Sequence, residues 1–187
     1  MRKSILRHIT LNKFIALMRL GILKLVFRRR LLVKGLVYIG KNSTIEIEKT
    51  GKVLIEHGVY IKKGFDLFCN GTIKIGTSTF INKDVTIASM NSVIIGDHCL
   101  IGEQVSIRDH DHKFSDNIQF IKEQGFETEP VIIGSNVWIG CKVTIVKGVK
   151  IGNNCIIGAN SVVTRYIPDN SIAVGVPARV IKSRERI

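Results

Sequence analysis

The C-terminal half of the chain carries an aliphatic residue at every sixth position. The series consists of Ile133, Ile139, Ile145, Ile151, Ile157 and Val163. A small or branched residue stands four positions after each of the first five, namely Val137, Val143, Val149, Cys155 and Ser161. A helix of period 3.6 would scatter these positions around its circumference, and a single strand would alternate every second residue. The period of six therefore predicts short strands joined by tight corners, with the aliphatic side chains inside.

Three such strands close one coil of about eighteen residues in a hexapeptide β-helix. Earlier coils show the same spacing, but Ile55, Ile75 and Ile95 lie twenty residues apart, so each early coil contains about two extra residues. Glycine follows several of the aliphatic positions, and we expect it to accommodate the turns. These glycines are Gly134, Gly140, Gly152 and Gly158. The predicted fold class is all-β, a parallel β-helix.

The repeat is interrupted once, between Ile95 and Ile133, which lie 38 residues apart. Some twenty residues, about 108–131, are therefore expected to leave the coil as an extruded loop between Ile107 and Val131. A long excursion from a rigid scaffold is typically either disordered or functional. The stretch at its root reads "IRDHDHKFSDN".

This stretch places two histidines and two aspartates within four residues. Histidine has an unperturbed pKa near 6.5 and can take and return a proton close to neutrality. Asp111 or Asp109 could accept a hydrogen bond from one ring nitrogen and leave the other nitrogen free as a base. The candidate catalytic residues are therefore His112, His110 and Asp111. The alternative is a polar loop that carries histidine for solubility.

Composition and charge divide the chain into unequal parts. With 187 residues, 45% of them hydrophobic, it is long enough for one domain and a small appendage. Ten of its 28 Lys and Arg residues lie in residues 1–34, which contain no acidic residue, so the remainder is nearly balanced in charge. We expect a basic helical segment at 1–34, a β-helix domain at 35–182 and a tail at 183–187.

The basic segment contains an apolar run from Phe14 to Phe27 that Arg19 and Lys24 interrupt. It is too short and too charged to span a bilayer, and no signal-peptide cleavage site follows it. A helix with apolar and cationic faces would suit an anionic membrane surface, and the adjacent run Arg28 to Arg30 favours this. The alternative is a helix packed on its own domain or on a neighbouring subunit. The expected location is cytoplasmic, at or near the inner face of the cytoplasmic membrane.

The four cysteines form no CxxC pair and no metal-finger spacing, so reduced thiols in a cytosolic protein are expected. Cys99 and Cys155 occupy small inward positions and are interpreted as packing residues. Cys141 comes two residues after Ile139 and is expected to face outward.

Three stretches together resemble the hexapeptide-repeat O-acetyltransferases. They are "IRDHDHKFSDN", "PVIIGSNVWIGCKVTIVKGVKIGNNCIIGANSVVT" and "IPDNSIAVGVPARVIK". The resemblance covers roughly Ile75 to Lys182 and includes galactoside, maltose, streptogramin and capsular or exopolysaccharide acetyltransferases. It implies a left-handed β-helix, a homotrimer with active sites between adjacent subunits, and acetyl-CoA as the acetyl donor without a metal. The N-terminal third lies outside it.

The resemblance also assigns roles to single residues. Counting from Val105, the family histidine that deprotonates the acceptor hydroxyl falls on His112, with His110 the second choice. Trp138 and Asn82 correspond to positions close to the acceptor, and a backbone N–H near Cys141 would stabilise the oxyanion.

Coenzyme A, a long ligand with three phosphates, needs small residues for close approach and cations at its phosphate end. In the family it lies along the outer face of the later coils. The corresponding residues are Cys141, Ala159, Thr164, Arg165, Arg179 and Lys182.

The leading hypothesis is an acetyl-CoA-dependent O-acetyltransferase that modifies a sugar hydroxyl in surface polysaccharide biosynthesis. Two departures from the family bear on its acceptor: Cys141 replaces a common Ser or Gly, and the helical signature of the galactoside and maltose enzymes is missing. One alternative is a γ-type carbonic anhydrase, in which histidines from neighbouring subunits bind zinc. Another is a non-catalytic interaction subunit. Nucleic acid is not expected, because the cationic stretch lacks interleaved aromatic residues suited to base stacking.

Overall fold

A computed structural model describes residues 2–184, with side chains described from position 14 onward. One helix, α1 (Arg2–Phe27), precedes a series of short strands, and two 3₁₀ turns occupy Arg28–Arg30 and Ile121–Glu123. The strands are β1 (Leu31–Val33), β2 (Tyr38–Ile39), β3 (Thr44–Ile47), β4 (Lys52–Ile55), β5 (Tyr60–Ile61), β6 (Asp66–Cys69), β7 (Thr72–Ile75), β8 (Phe80–Ile81), β9 (Thr86–Ser89), β10 (Ser92–Ile95), β11 (Leu100–Ile101), β12 (Ser106–Arg108), β13 (His110–His112), β14 (Phe126–Thr128), β15 (Val131–Ile133), β16 (Trp138–Ile139), β17 (Thr144–Ile145), β18 (Lys150–Ile151), β19 (Ile156–Ile157), β20 (Val162–Val163), β21 (Ser171–Gly175) and β22 (Ala178–Ser183).

Every third strand along the coils stacks in parallel on its counterparts, which builds a triangular prism with three faces. The first face has the order β1-β4-β7-β10-β15-β18, and the third face joins β3, β6, β9, β12, β17 and β20. The second face has the order β2-β5-β8-β11-β16-β19 and ends in β21 and the antiparallel β22. Six complete coils and a partial seventh result, which confirms the predicted parallel β-helix.

The interior of the prism is filled by the residues that the period of six singled out. Ile95 pairs in register with Ile133, and Ile133 with Ile151, so identical positions stack from coil to coil. All six aliphatic positions of the C-terminal series and the small residues between them are buried. Burying one isoleucine side chain contributes roughly 1.5–3 kcal/mol, so the repeated column is the main source of stability.

The repeat glycines act differently from the expectation that they accommodate the turns. None of Gly134, Gly140, Gly152 and Gly158 has a positive φ; the left-handed conformation occurs two residues later, for example at Lys142 and Asn160, with φ of 56° and 59°. A Cβ atom on Gly140 would lie 2.6 Å from the backbone nitrogen of Ala159. At this position, glycine is therefore required by the close approach of the next coil.

The extra residues of the early coils all lie at the corner between the third and first faces. Strand β9 has four residues where β17 has two, and the loop 109–130 leaves from this same corner after β12. The longer strands add one more inward position at the end of the third face. Cys69 and Ser89 occupy this position in successive coils, and Asp109 follows at the same twenty-residue spacing.

The described side chains of helix α1, residues 14–27, pack on the first coil. Ala16 and Leu20 are buried there, and the guanidinium of Arg19 donates a hydrogen bond to the carbonyl oxygen of Gly40 at 2.7 Å. Arg19 therefore faces the domain, so the described side chains of residues 14–27 do not form the separate apolar and cationic faces expected from the sequence. The outer side exposes Phe14, Met18, Ile22 and Leu25, and Val26 is exposed as well. Ile15 and Leu17 are also exposed but line the cavities beside the helix.

The segment boundaries expected from composition shift slightly in the structure. The first coil begins at Leu31, four residues before the expected boundary, and strand β22 extends to Ser183. The side chains of the first four basic residues and the end of the tail, 185–187, lie outside the described part.

Candidate active site

The root of the extruded loop is organised around the buried carboxylate of Asp109, which is 0% exposed. One oxygen, Oδ2, accepts hydrogen bonds from the Ser89 hydroxyl at 2.7 Å and the Asn91 backbone N–H at 2.8 Å. The other, Oδ1, accepts the Met90 backbone N–H at 2.8 Å and lies 3.0 Å from Nδ1 of His110. The carboxylate thus joins the loop to the corner of the preceding coil.

These contacts also set the protonation of the carboxyl group. Burial alone would raise the pKa of Asp109, but hydrogen bonds from Met90, Ser89, His110 and Asn91 outweigh it and lower the pKa below its ordinary value. The group is therefore an anion at neutral pH and a strong acceptor.

His110 is oriented by this anion. Its side chain is 13% exposed, and Nδ1 faces the Asp109 carboxylate. An Nδ1–H that donates to a carboxylate leaves the Nε2 lone pair free. Of the two aspartates considered as orienting groups, Asp109 makes this contact, whereas Asp111 is exposed and has no hydrogen bond among the described side chains.

The two histidines lie on the same side of a short hairpin. Strands β13 and β14 pair antiparallel, with His112 opposite Phe126. The Phe126 ring lies 5.5 Å from the His110 ring in an edge-on arrangement and 4.6 Å from the His112 ring. His112 itself is exposed. The hairpin thus presents one anchored and one accessible imidazole side by side.

A second ion-pair cluster holds the other strand of the hairpin to the following coils. The Lys147 ammonium lies 3.0 Å from Glu127 and 3.5 Å from Glu129, and the hydrogen bond with Glu127 raises the pKa of Lys147 above its ordinary value. Beyond the hairpin the loop exposes large apolar side chains, namely Phe114, Ile118, Phe120 and Ile121.

Trp138 and Asn82 lie on the second face of the prism, away from the loop. Trp138 is 54% exposed and belongs to an outward column that continues through Leu100 to Phe80. The side-chain amide of Asn82 donates to a carboxylate oxygen of Glu103 at 2.9 Å. One polar end of Asn82 is therefore already held by its neighbour in the next coil.

Cys141 lies at the corner where the second face turns into the third. Its thiol is half-buried, and its backbone N–H donates no hydrogen bond within the described part of the chain. Ala159 occupies the same place one coil later and is exposed, and the Asn160 N–H donates to the Cys141 carbonyl at 2.9 Å. Two small side chains and a free N–H therefore follow one another along this corner.

The remaining expected coenzyme A contacts are all exposed. Thr164 and Arg165 follow β20, and Arg179 and Lys182 extend from β22. Among the described side chains, no carboxylate lies within 4.0 Å of these three cations. Small residues followed by unpaired cations fit a thioester carrier with a phosphate-rich end.

The expected site residues thus form two groups that one chain does not bring together. The histidines extend from the corner between the third and first faces, and this corner is opposite the second face, which carries Trp138. Cys141 and Ala159 lie at the corner between the second and third faces. Within one chain, the imidazoles of the loop and Trp138 therefore lie on different sides of the prism.

Several further features bear on the sequence expectations. All four cysteines are free, and Cys99 and Cys155 are buried as expected. In the described residues, no group of three or more His, Cys, Asp or Glu side chains is placed to hold a metal ion. No helix in the described part is both long enough and apolar enough to cross a membrane.

Two residues of the site carried a weak signal or none in the sequence. The buried position of Asp109 could have been read from its spacing of twenty residues to Ser89, which repeats the spacing of Ser89 to Cys69. The contact of Phe126 with both histidines had no such signal, because it depends on the pairing of two strands across the loop.

Comparison with known proteins gives consistent matches along the chain. Residues 130–165 match the family described as bacterial transferase hexapeptide (six repeats), and residues 92–107 match the hexapeptide repeat of succinyl-transferase. The Escherichia coli K12 protein WbbJ, whose name assigns it to lipopolysaccharide biosynthesis as an O-acetyl transferase, is 36% identical over 177 residues. That alignment covers 90% of this chain and 87% of the relative.

Two further relatives are covered over different shares of their own length. The Mycobacterium tuberculosis protein Rv3034c, named as an acetyltransferase, is 35% identical over 159 residues, or 83% of this chain, and the chain spans about half of that relative, 52%. The crystal structure of the Vibrio cholerae hexapeptide-repeat acetyltransferase VCA0836 with acetyl-CoA aligns with a TM-score of 0.63 at 27% identity. This alignment covers 89% of this chain and 79% of the other.

Proposed function

Because the chain belongs to the hexapeptide-repeat acetyltransferase family, we propose that it transfers the acetyl group of acetyl-CoA to a sugar hydroxyl. The name of WbbJ, which aligns over 87% of its length, supports a role in surface polysaccharide biosynthesis. The acetyl-CoA complex of the Vibrio cholerae relative supports the donor. The observation that carries the proposal is the exposed imidazole of His112 beside an imidazole anchored by a buried carboxylate.

In the proposed reaction His112 removes the proton of the acceptor hydroxyl as its oxygen attacks the thioester carbonyl. The C–S bond breaks, the CoA thiolate leaves, and the proton on His112 is passed to that thiolate or to water. His112 suits this role because its ring is accessible, whereas the ring of His110 is nearly enclosed. His110 and Asp109 then act as positioning residues that fix the hairpin.

The free N–H of Cys141 is proposed to stabilise the negative charge that develops on the thioester oxygen. A backbone donor held by a rigid coil suits this role because it needs no reorganisation during the reaction. The exposed column from Cys141 to Ala159 would take the pantetheine arm, with Thr164 beside it. The cations Arg165, Arg179 and Lys182 would meet the phosphates.

The proposed assembly is a homotrimer in which the loop of one subunit reaches the second face of its neighbour. Two observations support it: the histidines and Trp138 lie on opposite sides of one prism, and the loop exposes the apolar side chains of Phe114 and Ile118. The neighbour would then supply Trp138 and Asn82 on the acceptor side.

The proposal is tested by measuring the release of free CoA thiol from acetyl-CoA in the presence of each of a panel of sugar acceptors. We expect His112→Ala to lower kcat by about 100-fold or more. His110→Ala should lower it less and should change the thermal stability of the hairpin as well. Near-normal turnover in His112→Ala together with an inactive, folded His110→Ala would assign the base to His110.

We also propose that the protein works in the cytoplasm and touches the inner face of the cytoplasmic membrane through the outer side of α1. The exposed apolar residues of that side, together with Arg28 to Arg30, suit an anionic lipid surface. The fraction of protein that sediments with phosphatidylglycerol vesicles should therefore fall in Leu25→Glu. It should not fall in the control Ile132→Glu, which alters an exposed position of the first face. If Leu25→Glu instead dissociates the oligomer, the helix packs on a neighbouring subunit.

A further inference from the structure

A groove of about 450 Å³ lies between α1 and the second face, at the N-terminal end of the prism. Its lining has no carboxylate and five cationic residues, namely Arg19, Lys41, Lys62, Lys63 and Lys83. Among the described side chains, no carboxylate lies within 4.0 Å of any of the five. Five like charges around one groove repel one another, so the groove favours a multiply charged anion.

The walls of this groove are held in place by stacked aromatic rings. Tyr38 stacks on Tyr60 with 4.5 Å between ring centres, and Tyr60 stacks on Phe80 at 5.7 Å. Arg19 uses one nitrogen for the Gly40 carbonyl, which leaves its other N–H groups for a ligand. A site whose parts are fixed in advance loses little conformational entropy on binding.

A second cavity of about 320 Å³ adjoins the groove and shares Ala16, Tyr38 and Tyr60 with it. The side chains it adds are apolar, namely Leu17, Leu36, Val37 and Val59. These residues precede the tyrosines in their coils or lie on α1, whereas the lysines follow Tyr38, Tyr60 or the stacked Phe80. The tyrosine pair therefore separates a cationic compartment from an apolar one.

We propose that these two compartments together bind a lipid diphosphate that carries the acceptor sugar. The five cations would hold the diphosphate, and the apolar cavity would hold the first part of the lipid chain. Lys83 lies two coils from Cys141, and Phe80 two coils from Trp138, which is about 10 Å at the spacing of neighbouring strands. A sugar linked to the diphosphate would therefore extend along the second face toward Trp138.

This inference rests on the proposed function for the transfer step, but the binding itself can be measured without any transfer. Isothermal titration calorimetry of the full chain would use farnesyl diphosphate, UDP and inorganic pyrophosphate at constant ionic strength. We expect one farnesyl diphosphate per chain, bound at least tenfold more tightly than either of the other probes.

The double variant Lys63→Gln/Lys83→Gln should weaken farnesyl diphosphate binding at least tenfold. Its matched control, Lys52→Gln/Lys74→Gln, removes the same charge from exposed positions of the first face and should change affinity by less than twofold. An equal loss in both variants would show only non-specific attraction and would overturn the proposal.

Other outcomes separate this proposal from the transfer reaction. Tighter binding of UDP than of farnesyl diphosphate would assign the groove to a nucleoside diphosphate and overturn the lipid assignment. Absence of binding to all three probes would overturn the site as a whole. A chain that binds farnesyl diphosphate but releases no CoA with any acceptor would refute the proposed function and leave the site standing.

Discussion

Replacement of Asp109 by asparagine tests how the loop is attached to the coil. Each carboxylate oxygen faces one backbone N–H: Oδ1 accepts from Met90 and Oδ2 from Asn91, both at 2.8 Å. Whichever way the asparagine amide is turned, its NH₂ group replaces one of these oxygens and meets an N–H. One backbone donor is therefore left without an acceptor in every rotamer.

The cost can be estimated from these contacts. A donor left without an acceptor costs about 1–3 kcal/mol when it is buried, and the partly buried N–H groups of Met90 and Asn91 fall toward the lower end of that range. The hydrogen bonds that remain also lose the charge that strengthens them. We expect Asp109→Asn to lower the free energy of unfolding by about 2–4 kcal/mol.

Urea unfolding followed by circular dichroism, at one protein concentration, measures this difference. Asp111→Asn is the matched control because it makes the same change two residues away at an exposed position, and it should alter stability by less than about 0.5 kcal/mol. If Asp109→Asn is as stable as the control, the buried carboxylate does not anchor the loop.

Three further predictions concern packing, pH and the hairpin. Ile133→Ala, at an inward position with 1% exposure, should lower the free energy of unfolding by about 2–5 kcal/mol. In the same urea assay Ile132→Ala, at the adjacent outward position with 38% exposure, should cost less than about 1 kcal/mol. Because the pKa of Asp109 is lowered in the folded protein, ionised Asp109 stabilises the fold at pH values above 3.8, the ordinary pKa of the group. Thermal melts should show this contribution lost as the pH falls through the folded-state pKa. Asp109→Asn should lack that contribution. If its melting temperature falls with acid as steeply as that of the unaltered protein, the prediction is contradicted. Lys147→Ala removes the contacts with Glu127 and Glu129, so amide hydrogen exchange should accelerate in β14 and not in β15. If β14 is protected equally in the variant and in the unaltered protein, Lys147 does not hold the hairpin to the coils.

The fold could be predicted because the inward or outward direction of a side chain is a local property of the strand. Ile133 and Ile139 point inward through the geometry of their own coils, and their period of six is visible without any partner. The place of the loop followed from the same count, since Ile95 and Ile133 pair directly although 38 residues separate them. The roles of the repeat glycines could not be read in this way, because the close approach at Gly140 involves the coil above.

The candidate site divides along the same line. The sequence by itself determined that imidazoles and carboxylates gather at the root of the loop, because they are neighbours in the chain. Only the tertiary structure decided that Asp109 and not Asp111 orients His110, since its partners Ser89 and Met90 belong to the preceding coil. The groove between α1 and the second face depends on the structure as well. The repeat stacks lysines of successive coils, but only the packing of α1 on the first coil encloses them.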